Sequence, residues 1–391
     1  QRLIGKTIIP LPLLFLEGLG NLLGPVAYWQ ARRQAARLDA SDKLALASTS
    51  FLEDDLEDVH LVPPTVAVII CTRQRPDALR RCLQSLAPVR GQMDQLIVVE
   101  NSEEAGETAV IAEQFGAQFE LEPEPGLCRA RNRGLAAAHT DVVAYLDDDV
   151  VVEENWLVRL TAVYTQNPHI AGVTGLVLPQ QLETDDQNLF EQALGGLNRG
   201  LTPRSFNGKA ARTAAPQVGV GANMSFRRQQ LAEIGGFDVA LDPGTLALAG
   251  GDIDIFYQLL KAGCTLLYDP QLLVWHAHRR EAGAARQMSA AYGRGTAAAY
   301  AKWAVQGDVK AARMLLGYWL RYHPARLRHS FARNGLLSPD VAWAGWLASW
   351  VGPWAYFRER RLNRTKSFNG VFWRLTAVAI TFFTVGNSYG C

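Results

Sequence analysis

Residues 142–150 read VVAYLDDDV: an unbroken apolar run leads directly into Asp147, Asp148 and Asp149. A run of that length without polar alternation suits a strand covered on both faces, as in a parallel sheet flanked by helices. The carboxylates mark where that strand ends. Residues 66–71 (VAVIIC) and 96–100 (LIVVE) are runs of the same kind, and 264–268 with 272–275 supply two more. After the first run, Pro76 suits a first helical turn, and Leu79, Cys82, Leu83 and Leu86 keep the spacing of one helix face. Further helices are predicted over 127–138, 153–166, 227–234 and 252–262. Strand and helix therefore alternate from residue 63 to about 276, which predicts an α/β fold with a mixed, mostly parallel sheet between helices.

Composition fits such a body. With 48% hydrophobic and 20% charged residues, the 391-residue chain is too apolar for a disordered protein and too charged for a multi-span membrane protein. Its net charge of +1 gives no reason to expect a nucleic-acid partner. The near-zero total hides an uneven distribution: residues 63–275 carry 16 Lys and Arg against 26 Asp and Glu, and residues 276–391 carry 17 against 4. Cys71, Cys82, Cys128, Cys264 and Cys391 are scattered, with no Cys-x-x-Cys pair, and read as reduced thiols of a cytoplasmic protein. Residues 7–29 are interrupted by Pro10, Pro12 and Glu17, so no cleavable secretory signal is expected.

Three places carry candidate chemistry. Adjacent carboxylates at the end of a buried strand repel one another, so Asp147, Asp148 and Asp149 call for a cation or a cage of hydrogen bonds. An Asp-x-Asp spacing lets one carboxylate hold a hard divalent ion while its neighbour bonds a ribose; an acidic helix start is the plainer alternative. Asp252, in GGDID, opens a predicted helix where glycines permit close approach, as a general base toward a hydroxyl group or simply as a helix cap. His276, in LLVWHAHRR, ends the last predicted strand as a metal or phosphate ligand or as a boundary residue. Arg73, Arg75 and Arg131 carry guanidinium forks that match diphosphate oxygens.

In order along the chain, CTRQRP, IVVENS, EPGLCRARNRG, LDDDV followed by NWL, GVGANMSFRR, IGGFD, GGDID and VWHAHR make up a set. Over residues 65–295 that set resembles family 2 glycosyltransferases of the GT-A fold, of the bacterial, non-processive type. The resemblance implies inverting transfer from a nucleotide-diphosphate sugar (UDP-, GDP- or dTDP-linked), assisted by Mg²⁺ or Mn²⁺, to a glycan or lipid-linked acceptor. It implies that Thr72, Arg73, Arg75 and Glu100 surround the nucleotide, with Arg131 and Asn132 near it. Asp147 and Asp148 would then meet the donor, Asp149 and His276 the metal, and Asp252 would be the base. One departure stands out: the family usually has Glu-Asp where this chain has Gly251-Asp252. No Gln-x-x-Arg-Trp follows residue 276, so addition of a single sugar is expected. A sugar-phosphate nucleotidyltransferase would need a glycine-rich loop after the first strand, and a dinucleotide-binding oxidoreductase a Gly-x-Gly-x-x-Gly there; Cys71–Pro76 has neither. A non-catalytic scaffold at a membrane surface stays open.

The flanks share an echo. Residues 22–33 (LLGPVAYWQARR) and 350–361 (WVGPWAYFRERR) each run from apolar and aromatic residues into paired arginines. With the basic C-terminal region and its Trp303, Trp319, Trp343, Trp346, Trp350, Trp354 and Trp373, this suits helices lying on an anionic membrane surface, and equally helices packed on the core. The run 375–385 is too short to span a bilayer. The expected division is an N-terminal flank and acidic linker (1–62), a catalytic domain (63–295) and a basic helical region (296–391), placed at the inner face of the cell membrane.

Overall fold

The computed structural model describes residues 62–331 and 337–386, the last stretch, 364–386, as helical backbone only. The flank ahead of residue 62, including the 22–33 half of the echo, and Cys391 lie outside the described residues. The described strands form a nine-stranded sheet: β1 (Val66–Thr72), β2 (Gln95–Glu100), β3 (Gln118–Leu121), β4 (Val142–Asp147), β5 (Val150–Val152), β6 (Ile170–Pro179), β7 (Arg204–Asn207), β8 (Asn223–Arg227) and β9 (Thr265–His276). Their order is β3-β2-β1-β4-β8-β6-β9-β5, with β7 also on β9. The first four run parallel, β8 is antiparallel to β4 and β6, and β6 and β9 are parallel again.

Every residue of β1 is buried, because both faces are covered. Val66, Val68 and Ile70 point into one core with Leu79, Leu83 and Trp156, whereas Ala67, Ile69 and Cys71 meet Tyr145, Phe226 and Phe256 in the other. The helices that cover these faces are α1 (Pro76–Leu86), α2 (Thr108–Gln114), α3 (Leu127–Ala137), α4 (Trp156–Gln166), α5 (Asp185–Ala193), α6 (Arg228–Glu233) and α7 (Gly251–Lys261); all but α2 and α5 are among those predicted. Two differences from the sequence reading have local causes. β6 and β8 were not among the predicted strands, because Gly172 and Gly175 interrupt the apolar pattern of the first and Asn223 and Ser225 that of the second. Those glycines are required by packing: a Cβ on Gly175 would lie 2.1 Å from the Leu272 carbonyl oxygen. The two predicted C-terminal strands are one strand, β9, whose pairing with β6 shifts register just past Asp269, where Pro270 offers no N–H to the ladder.

After β9 the chain forms α8 (Ala284–Val305), α9 (Val309–Gly317), α10 (His323–Ser330) and the long α11 (Pro339–Gly386). The domain boundary expected at 295 falls inside α8. Gly293 and Gly345 let α8 and α11 approach closely, since a Cβ on Gly293 would lie 2.2 Å from the Gly345 carbonyl oxygen. A buried ion cluster ties these helices to the sheet body: Lys302 Nζ lies 2.7 Å from Asp238 and 2.6 Å from Asp254 of α7. Trp303 Nε1 donates to Asp254 at 2.8 Å, and the Tyr356 hydroxyl of α11 donates to Asp238 at 3.0 Å. Burial alone would push the Lys302 ammonium toward neutrality; the two carboxylates outweigh it and hold the charge. Trp303 is fully buried and stacks on Tyr257, so this tryptophan belongs to the core.

Candidate active site

The carboxyl ends of β1 and β4 open onto a cleft of about 1270 Å³, where open α/β sheets place their ligands. Asp148 is the inward member of the acidic triplet. Thr72 Oγ1 donates to it at 2.6 Å and Arg75 Nη1 at 2.5 Å, and burial, only partly offset by Arg75, raises its carboxyl to about 7. Arg75 reaches Asp149 with its other nitrogen at 2.9 Å. One arginine thus braces two neighbouring carboxylates from the first loop of the fold.

The β5–β9 ladder pairs Val150 with His276, which brings His276 Nε2 to 3.1 Å from Asp149 Oδ1. Burial alone would raise Asp149; His276 and Arg75 outweigh it and hold the carboxyl well below its ordinary range. Behind His276, its Nδ1 lies 3.1 Å from His278 Nδ1, and His278 Nε2 lies 3.0 Å from Glu191. This chain orients the ring in the manner of outer partners behind a metal ligand. Asp147, Asp149 and His276 each offer a ligand atom, all within 4.8 Å of one another. Asp149 Oδ1 is buried with His276 Nε2 as its ion-pair partner, so a cation here would be shared between carboxylate and imidazole. Carboxylates with one imidazole are a donor set that suits Mn²⁺ or Mg²⁺, and the residues fit such an ion.

Across the cleft, Asp252 stands in the first turn of α7. Its Oδ2 accepts the Gly221 N–H at 3.1 Å and its Oδ1 the Ile253 N–H at 2.8 Å. The two backbone donors fix the orientation of a carboxylate that stands where a general base toward an acceptor hydroxyl would be needed. Arg131 is buried between the two sides, with Nη1 2.8 Å from Asp242 and Nη2 3.6 Å from Asp147. Arg73 lies exposed at the cleft wall.

The structure therefore gathers Thr72, Arg73, Arg75, Arg131, Asp147, Asp148, Asp149, Asp252 and His276 around one cleft. Glu100 and Asn132 are not among its lining residues. Glu100 is buried, accepting Thr108 Oγ1 at 2.5 Å and the Gln74 N–H at 3.1 Å, and so shapes the loop that carries Arg73 and Arg75. Asn132 exchanges two 2.8 Å hydrogen bonds with the Phe237 backbone, which docks α3 on the segment leading to α7. Sequence reasoning overlooked Asp242 and Arg199. Asp242 sits in an Asp-Pro-Gly stretch that reads as an ordinary turn. Arg199 lines the cleft from the loop after α5 with an Nε that has no partner among the described residues, and nothing in the surrounding sequence signals it.

Known proteins resemble the chain in sequence and in fold. The chain is 28% identical over 257 residues to a pre-mycofactocin glycosyltransferase of Mycobacterium tuberculosis, covering 63% of this chain and 50% of that protein. It is 28% identical over 184 residues to a glucosyl-dolichyl phosphate glucuronosyltransferase of Haloferax volcanii, covering 44% and 56%. The chain thus spans about half the length of these curated relatives. Among solved structures, the mannosyltransferase PcManGT of Pyrobaculum calidifontis, in complex with GDP-Man and Mn²⁺, superposes with a TM-score of 0.51 at 15% identity, over 87% of this chain and 96% of that one. The GT-A fold expected from the resemblance is the fold the chain adopts. The model for "Glycosyltransferase like family 2" matches residues 63–294, well over half of the sequence, and the protein belongs to that family.

Proposed function

We propose that the chain is an inverting glycosyltransferase that moves a single sugar from a UDP-, GDP- or dTDP-linked donor to a hydroxyl of a glycan or lipid-linked acceptor. The observation that carries this reading is the placement of Asp252 across one cleft from Asp147, Asp149 and His276. The relatives named above are glycosyltransferases, and the solved neighbour holds GDP-Man with Mn²⁺. In this reading Asp252 takes the acceptor proton as the acceptor oxygen bonds to the anomeric carbon. The bond from that carbon to the diphosphate oxygen breaks, and its electron pair leaves with the nucleoside diphosphate. Arg73 and Arg75 stand where they would face the diphosphate charge, and Arg131 holds Asp147 from behind. Mg²⁺ or Mn²⁺, held by Asp149 and His276 with Asp147 beside them, would supply Lewis-acid neutralisation of the leaving group. The expected product has the anomeric configuration opposite to the donor's, read by NMR from the anomeric coupling constant. A product that keeps the donor's configuration contradicts single displacement.

We also propose peripheral attachment at the inner face of the cell membrane. Among the described residues no helix is long and apolar enough to cross a bilayer. One face of α11 nevertheless leaves Trp343, Leu347, Trp350, Trp354 and Phe357 exposed at helical spacing, with Arg358 and Arg360 exposed beyond them. Trp319 stacks on Trp350 and extends the aromatic strip. Aromatic rings flanked by cations match an anionic interface, each cation contributing about 1 kcal/mol. The protein should co-sediment with phosphatidylglycerol vesicles, and Trp350→Ser with Trp354→Ser should release it. A wild-type protein that stays in the supernatant contradicts the attachment.

A further inference from the structure

Gly251 opens α7 directly before Asp252, and its lack of a side chain has a visible cause. A Cβ there would lie 2.3 Å from Asp242 Oδ2 and 2.6 Å from Cys128 Sγ. The space beside the start of α7 is filled by the carboxylate of Asp242, which comes from the preceding turn. That carboxylate is buried and fully engaged: Oδ1 accepts the Gly251 N–H at 2.6 Å, and Oδ2 accepts Arg131 Nη1 at 2.8 Å and Cys128 Sγ at 3.4 Å. Its backbone is left-handed, with φ +73°, a conformation that glycine adopts without strain and that among side-chain-bearing residues asparagine and aspartate tolerate best. An aspartate in a glycine-like conformation, facing a glycine where the family resemblance expects Glu, amounts to an exchange of positions.

We propose that Asp242 supplies from the turn the carboxylate missing beside Asp252, and that it is a positioning residue for the base. Two connections give it that reach. Through Gly251 N–H it anchors the first turn of α7, so Asp252 inherits its placement from this bond. Through Arg131, whose other nitrogen is 3.6 Å from Asp147, it ties that turn to the acidic end of β4. A single buried guanidinium thus sets the distance between the acceptor side and the donor side. The contact between the two loops is tight as well, because a Cβ on Gly244 would lie 2.6 Å from the Gly126 nitrogen at the start of α3. A misplacement of the base by about 1 Å is enough to cost roughly 100-fold in turnover.

The inference rests on the functional reading above, and the experiment separates the two. Asp242→Gly, Gly251→Glu and the double exchange are compared for melting temperature, Mn²⁺-dependent nucleotide binding, and kcat and KM for donor turnover. Each single variant should lose roughly 10- to 100-fold in kcat with donor KM little changed: Asp242→Gly leaves Arg131 with Asp147 alone, and Gly251→Glu sets two carboxylates in one space. The double variant should return to within a few-fold of wild type, and its melting temperature should rise above both single variants. Full kcat in Asp242→Gly, or a double variant no better than the worse single one, overturns the proposal. If the wild type turns over no donor, the functional reading fails. The exchange is then decided by melting temperature, and a double variant that melts no higher than the worse single one overturns it.

Discussion

Asp252→Asn should bind nucleotide with Mn²⁺ as the wild type does and lose transfer by roughly 10²–10⁴-fold, the usual weight of a general base. The substitution keeps the size of the side chain, and the amide oxygen still accepts one of the two backbone N–H groups now shared between Gly221 and Ile253. What disappears is the capacity to take a proton from a neutral hydroxyl. The loss should therefore fall on kcat, with the donor KM nearly unchanged. A calorimetric titration beside a turnover assay checks both halves. Retained turnover would remove Asp252 from the base role, and lost nucleotide binding would mean that the variant has disturbed the cleft.

Asp149→Ala should act on the other half of the reaction. Asp149 is the carboxylate that His276 and Arg75 keep ionised, and its Oδ1 lies 3.1 Å from His276 Nε2 within the candidate metal set. Without it the candidate metal set shrinks to Asp147 and His276, and Arg75 keeps only Asp148. Disturbing an outer partner of a metal ligand costs about 10–100-fold in affinity, so removing a ligand should cost at least roughly 100-fold in Mn²⁺-dependent nucleotide binding. The two variants should thus separate cleanly, one binding without transferring and the other failing to bind. A melting curve confirms that each is folded, and unchanged Mn²⁺-dependent binding by Asp149→Ala would contradict the metal role.

Much of this was legible in the sequence because the decisive strands are buried on both faces. β1, β2 and β4 must be continuously apolar, and the carboxylates at the end of β4 therefore stand out against them. α1, α3 and α7 declare themselves by periodicity, within a residue or two of their observed ends. Features set by tertiary neighbours were not legible. The glycines of β6 exist for Phe226, Leu266 and Leu272, which are distant in sequence. Asn132 and Glu100 carry the residue types expected of nucleotide contacts, yet their side chains are satisfied inside the protein. Asp242 shows the same limit from the other side. Its turn signal is ordinary, and only the packing of Gly251 against it makes it part of the site.

The most direct test of the central claim is a thermal-shift measurement on the wild-type protein with UDP-, GDP- and dTDP-sugars, each with Mn²⁺ and with chelator. A ligand that binds the folded state at 100 times its Kd stabilises it by about 2.7 kcal/mol, enough to raise the melting temperature by several degrees. The account predicts such a shift with one nucleotide class and its loss on chelation. No shift with any of the three, or a shift that chelator leaves intact, would contradict a metal-assisted nucleotide-sugar site at Asp147, Asp149 and His276.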